Sequence, residues 1–505
     1  MNNESVIRVE IEAGERWWGG AVSDGIHMPF SSGFRTDLND LRGNQGIPAL
    51  LSNKGRTLWS DLPFAFQHNG SALEILPAPD TDIVVSDGNL NLPGAYRHLM
   101  TARFQATGQI PDESLFTEPQ YNLWIDQLFQ PTREGVLDYA RNVVSRGFPP
   151  GVLMIDDNWH EHYGSWDFHS GRFPDPEGMI HELHRMGFKV MLWLVPYVSP
   201  DTVDFRYLRD AGLLLLTEDG NVAIGEWWNG HGAALDLLNP AALNWLRNKL
   251  QKLQDLYGVD GFKFDGGDAP FYANLGCERA ERYTAAWNRF GVDFPLNEFR
   301  DSWNSAGLAL AQRQKDKHHA WHGEDGLEAL IPNAIAQSLT GHSYTCPDMI
   351  GGGEYISFTG AAFDSELFVR WAQASALFPM MQFSAAPWNL LSPEEVSYCR
   401  AAALLHSELG TEITQLAKES AQGGEPILRP LAYNYPQDAY EEIHDQFLLG
   451  TEILVAPVLQ KGSKTRSVVI PAGRWRADDG REYEGGTTTV HAPLSRLPWF
   501  RKISA

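Results

Sequence analysis

The stretch GFKFDGGDAP, residues 261–270, ends an apolar run with Asp265, two glycines and Asp268. Asp156, Asp157, Glu324, Asp325 and Asp348 also stand at or just beyond the ends of apolar runs. Two carboxylates facing each other across a pocket can cleave a glycosidic bond: one attacks the anomeric carbon, while the other protonates the leaving oxygen and then activates water. Any single one of these seven acids has a simpler reading as a helix cap or a solvated loop acid. Residue type alone does not choose among them. Tryptophans beside polar groups, in RWWGG, DDNWHEHYGSW, GEWWNGHG and HAWHGED, would suit a sugar, with the ring face on indole and the hydroxyls on carboxylates.

Such acids can meet only if the elements that carry them converge. From about residue 116 to 405 the chain alternates apolar strands with amphipathic helices. REGVLDYARNVVSRG carries Val136, Leu137, Ala140, Val143 and Val144 at helical spacing; GVLMIDD follows as a buried strand ending in acids. FKVMLWLVPYV is a second apolar strand, and NPAALNWLRNKLQKLQDLYG has an Asn239 cap, Pro240 in its first turn and a terminal Gly258. Continuous apolar strands alternating with helices predict a parallel sheet covered on both faces. Roughly eight such units fit a closed α/β architecture, the (β/α)8 TIM barrel. In a barrel Asp156, Asp157, Trp193, Asp265, Asp325, Asp348 and Gln382 all end on one face. A doubly wound sheet would want a glycine-rich phosphate turn after its first strand, and the sequence has none. Residues 1–115 hold short alternating segments without a long helical pattern, and 406–505 alternate again. Both predict flanking β-sandwich domains.

Composition narrows the classes. Of 505 residues, 43% are hydrophobic and 21% charged, as in an ordinary globular enzyme. Lys plus Arg is 40 against 64 Asp plus Glu, a net charge of −24, which disfavours nucleic acid and anionic membranes. Three scattered cysteines form no disulfide framework, and no metal-ligand spacing occurs. The first residues show no secretory leader and no run reaches membrane-span length, so a cytoplasmic setting is expected.

MIDDNW, GVDGFKFDGGD, AWHGEDGLEALIPNAIAQSLTGHSYTCPDMIGGG and ALFPMMQFSAAPW, in that order, resemble glycoside hydrolase family 31, the retaining α-glycosidases. DQFLLGTEILVAPVL and VVIPAGRW extend the likeness into the C-terminal domain, and the branch it resembles most has α-galactosidase activity. The resemblance implies that Asp265 is the nucleophile at the end of the fourth strand. It implies Asp325 as acid/base when anchored on GLEALIP; strict counting from Trp321 gives Glu324 instead. The two groups of a retaining pair are expected about 5–5.5 Å apart. Asp156, with Asp157 beside it, matches the acid that holds glycone hydroxyls, with Trp193, Trp228 and Trp321 as pocket walls. Lys263, on the same strand face as Asp265, is expected to pair with the nucleophile. Arg313 matches an arginine near the acid/base, and Asp348 an acid behind the pocket. Gln382 stands where many α-glucosidases of the family have a histidine, which argues against a glucose preference. No metal or organic cofactor is implied. The expected partner is an oligosaccharide or small α-glycoside, with no nucleic acid and no membrane, and assembly into a homo-oligomer is left open. Transglycosylation, α-glucosidase or α-xylosidase activity, and a non-catalytic carbohydrate-binding role are the alternatives.

Overall fold

The computed structural model describes residues 6–40, 44–79, 81–360 and 362–504. At its centre are eight short parallel strands: β1 (Gln120–Asn122), β2 (Val152–Ile155), β3 (Lys189–Leu194), β4 (Gly261–Phe264), β5 (Asn297–Phe299), β6 (Gln312–Arg313), β7 (Thr345–Cys346) and β8 (Gln382–Phe383). They pair in chain order, and β8 returns beside β1. Between β7 and β8 the Ile350 N–H donates to the Gln382 carbonyl at 2.9 Å. The expected (β/α)8 barrel is therefore present and nearly closed.

Strands β2 (VLMI) and β4 (GFKF) are buried along their whole length, as strands covered on both sides must be. The register places Trp193 beside Lys263 and Lys263 beside Glu298. Side chains alternate along a strand, so Lys263 and Asp265 share the inner face. The outer helices have the caps their sequences announce. In Pro240–Tyr257 the Asn239 side chain accepts from the Ala241 N–H, and Gly258 ends the helix at φ 77°. Ala242, Leu246, Leu250 and Leu253 bury one stripe of this helix. Each buried leucine stabilises the fold by about 1.5–3 kcal/mol.

Two features differ from the sequence reading. The N-terminal region contains a helix, Leu92–Arg103, capped by Asn91 and packed through Leu92, Ala95, Tyr96, Leu99 and Met100. Pro93 and Gly94 read as a turn, but a proline is tolerated in a first helical turn. The boundary drawn at 405/406 falls inside one uninterrupted helix, Pro393–Gly423, opened by a capping box between Ser392 and Glu395.

Before the barrel, Ile7–Glu10, Arg35–Asp37, Phe64–His68 and Ala72–Pro77 form one antiparallel sheet. A second sheet holds Trp17–Ala21, Gln45–Ser52, Thr57–Trp59 and Val84–Ser86, and takes in Ser302–Trp303 from the barrel segment. After the barrel comes a six-stranded antiparallel sheet. One continuous apolar core runs through the N-terminal sheets and the barrel, while Trp475, Phe500 and Leu454 belong to a second, smaller core. Among the described residues no helix is long and apolar enough to cross a membrane.

Candidate active site

The C-terminal ends of the strands surround a cavity of about 400 Å³. Of the sequence-predicted residues, Asp156, Asp157, Trp193, Trp228, Lys263, Asp265 and Arg313 line it. Asp325, Trp321, Asp348 and Gln382 do not.

Asp265 follows the last residue of β4, and its carboxylate is held from three sides. Oδ2 accepts from Trp193 Nε1 at 2.8 Å, and Oδ1 accepts from the Gly266 N–H at 2.9 Å. Arg300 Nε lies 2.8 Å from the same Oδ1. Burial alone raises this carboxyl, but Arg300 and then Lys263 outweigh it and hold the group at about 2. Asp265 is thus an ionised carboxylate aimed into a pocket.

Arg300 was not foreseen. It stands just past β5 in LNEFRDSW, a strand end that a search for acids passes over. Its Nη2 reaches Asp268 Oδ2 at 2.5 Å and its guanidinium lies over the Trp228 ring at 4.6 Å, so one arginine ties the nucleophile candidate to Asp268 and to the pocket wall. Its backbone carbonyl accepts from Asn44 Nδ2 and Gln45 Nε2 of the N-terminal sheet, which anchors the loop from outside the barrel.

Lys263 is a correction. Its Nζ pairs with Asp156 Oδ2 at 2.7 Å rather than with Asp265; Asp156 follows β2, one strand beyond β3 in the sheet. Lys263 acts on Asp265 through space only. Asp157 turns to the other side and accepts from Tyr163 Oη at 3.1 Å and from Asn229 Nδ2 at 2.5 Å. Burial, and then the neighbouring Asp156, push its carboxyl up to about 7.

The WHGED segment does not line the cavity. Asp325 pairs with Lys315 at 2.9 Å, Trp321 Nε1 donates to Asp364 at 3.0 Å, and Glu324 is exposed with His27 3.3 Å away. The loop folds back on its own following helix: the Gly323 N–H donates to Glu328 Oε1 and the Glu328 N–H to the Trp321 carbonyl. Besides Asp156 and Asp157, the acids that line the pocket with Asp265 are Glu354 and Asp316, the latter three residues beyond Arg313 in QRQKDK. A run of alternating charge reads as a solvated face, and nothing local marks it as a strand end. Arg313 Nη1 pairs with Asp316 Oδ1 at 2.8 Å. Burial raises the Asp316 carboxyl, but Arg313 and Arg300 outweigh it and hold it below the usual range.

Arg313 also meets Asp348 Oδ1 at 2.8 Å and Glu298 Oε1 at 3.2 Å. Asp348 accepts the Lys317 and Gly353 N–H groups at 2.7 and 2.8 Å, so it fixes the loops after β6 and β7 from behind the pocket. Gln382 lies inside the barrel and donates to Gln120 and Glu298. The glycines after Asp265 are needed for side-chain packing. A Cβ on Gly266 would stand 2.8 Å from Val195 Cγ1, and one on Gly267 2.3 Å from Trp287 Cδ1.

A barrel whose strand-end pocket holds a donor-caged carboxylate has the architecture of a barrel enzyme, and the sequence comparisons name the family. Residues 115–407 match the family model for the TIM-barrel domain of glycosyl hydrolases family 31, and 424–504 that for the family's C-terminal domain. The chain belongs to glycoside hydrolase family 31. It is 31% identical over 420 residues to the myogenesis-regulating glycosidase of Mus musculus, covering 81% of this chain and 58% of that protein. Alpha-xylosidase XylQ of Lactiplantibacillus pentosus is 27% identical over 396 residues, covering 73% and 50%. The chain thus spans about half the length of the curated relatives it matches. Among solved structures, the Flavobacterium johnsoniae dextranase FjDex31A superposes with a TM-score of 0.85 at 20% identity, over 99% of this chain and 67% of that one.

Proposed function

We propose that this protein is a retaining exo-α-glycosidase acting by double displacement, with an α-galactoside as its preferred substrate. The observation that carries the mechanism is the ionised Asp265, caged by Trp193, Arg300 and the Gly266 amide, in one pocket with a second carboxylate, Asp316. Asp265 attacks the anomeric carbon and forms a β-glycosyl ester. The second acid protonates the departing glycosidic oxygen, then takes a proton from the water that cleaves the ester. Position favours Asp316 for this acid/base role, and that role requires its contact with Arg313 to open as substrate enters. Asp325 serves only if the WHGED loop moves into the pocket.

Asp156 and Asp157 are suited to accept glycone hydroxyls. Among the described residues the cations that line the pocket are each engaged: Lys263 with Asp156, Arg300 with Asp265 and Asp268, Arg313 with Glu298, Asp316 and Asp348. A carboxylated or sulfonated sugar would therefore find acids without a spare counter-charge, which favours a neutral glycone. The galactoside preference rests on the motif resemblance, since relatives in this family carry names as different as xylosidase, isomaltosidase and sulfoquinovosidase.

The test is release of nitrophenol from aryl α-galactoside, α-glucoside, α-xyloside and α-mannoside, with a β-glycoside as control. The proposal expects turnover of the α-galactoside with retained configuration. Turnover confined to another α-glycoside would overturn the sugar, and an inverted product would overturn the mechanism. Product analysis with added acceptor separates hydrolysis from transfer.

A further inference from the structure

Behind Asp265 lies a second buried acid that the chemistry above does not use. Asp301, next to Arg300, is fully buried, and neither carboxylate oxygen makes a hydrogen bond of good geometry among the described residues. It sits against the backbone that follows the nucleophile candidate: a Cβ on Gly267 would come within 2.9 Å of Asp301 Oδ2. Asp268 is equally buried. Its Oδ2 takes Arg300, and its Oδ1 has no donor.

The charges facing Asp301 are Asp268, Asp265 and Arg300, and the nearby phenols are Tyr272, after Asp268, and Tyr197 beyond β3. One arginine thus serves three carboxylates, and two of them are in contact with it. Like charges this deep in the protein do not all ionise. The proton belongs on the acid without a cation, and that is Asp301. Burial first, and the Asp268 charge next, push Asp301 well above the usual carboxyl range.

We propose that Asp301 is a neutral carboxylic acid whose O–H donates to the free oxygen of Asp268, and that this bond fixes the Asp268 carboxylate so that Arg300 stays on Asp265. Asp301 is then a positioning residue, acting on the reaction through Asp268 and Arg300. The kinetic half of this inference rests on Asp265 being the nucleophile; the protonation half does not.

The test compares Asp301→Asn, which is neutral and keeps a donor, with Asp301→Ala, which is neutral and has none. An amide N–H replaces the acid O–H toward Asp268, so the Asn variant should keep at least tenfold more kcat than the Ala variant. The Ala loss should be about 10–100-fold in kcat with little change in KM, the size expected for one hydrogen bond to a charged group. Equal impairment of the two variants would overturn the positioning role. Independently of turnover, the infrared spectrum at neutral pH should show a protonated-carboxyl C=O stretch that the Asn substitution removes. An unchanged spectrum would overturn the protonation state. The spectrum and the Asn variant carry the test if the Ala variant does not fold. A band that the Asn substitution removes, in a protein that turns over no glycoside, would count against the glycosidase reading and for the neutral acid.

Discussion

Two acidic segments of this chain look alike on paper and differ in the fold. FDGGD at 264–268 and HGED at 322–325 each place two acids beside glycine and next to aromatic residues. In the first, Asp265 receives donors from β3, from its own backbone and from the loop after β5. In the second, Asp325 meets a nearby lysine, and the loop's glycine N–H goes to Glu328, four residues after Glu324. The first carboxylate is caged mainly by groups distant in sequence; in the second segment Asp325 and Gly323 are tied to neighbours in sequence, Lys315 and Glu328, outside the pocket. A carboxylate becomes a candidate for catalysis through fixed charges and dipoles brought from elsewhere, not through its motif.

Substitutions can break this comparison. Asp265→Asn should have the largest effect, roughly 10⁴-fold or more on kcat, and azide should rescue it as the inverted glycosyl azide. Full activity in that variant would remove Asp265 from the mechanism. Asp316→Asn is expected to cost about 10²–10⁴-fold with poor leaving groups, and much less with activated aryl glycosides. Asp325→Asn should stay within a few-fold of wild type; the opposite ranking would mean that the WHGED loop closes over bound substrate.

Arg300→Gln tests the cage itself. Asp265 is held at about 2 and must be ionised to attack, so activity is lost as pH falls through its pKa. Removing the guanidinium lets that pKa rise, and the acid limb of kcat/KM should move up by about one to three pH units. An unmoved limb would mean that Lys263 suffices.

A smaller effect, on stability alone, is expected where the barrel meets the C-terminal sheet. Arg370 is buried and donates to the carbonyls of Ser463, Ala492, Pro493 and Arg496. Arg370→Met should cost about 1–3 kcal/mol of stability for each acceptor left unpaired, seen as a lower melting temperature, without changing KM. Glu324→Gln, at the exposed end of the comparison, should leave both stability and turnover unchanged.

What was legible in the amino-acid order was local. Asn239, Pro240 and Gly258 bounded their helix because caps and φ preferences act within one turn. The apolar runs VLMI and GFKF became buried parallel strands because such runs need cover on both faces. The end of β4 placed Asp265 on the barrel's mouth by side-chain alternation alone. The helix Leu92–Arg103 carried the same kind of signal, masked by Pro93 and Gly94. Only the tertiary structure decided that Lys263 belongs to Asp156, that Arg300 holds Asp265, and that Asp316 rather than Asp325 shares the pocket. These pairings span about 35 to 107 positions and follow from how far each strand runs before its loop turns. Barrel closure sets that register, and no segment encodes it alone.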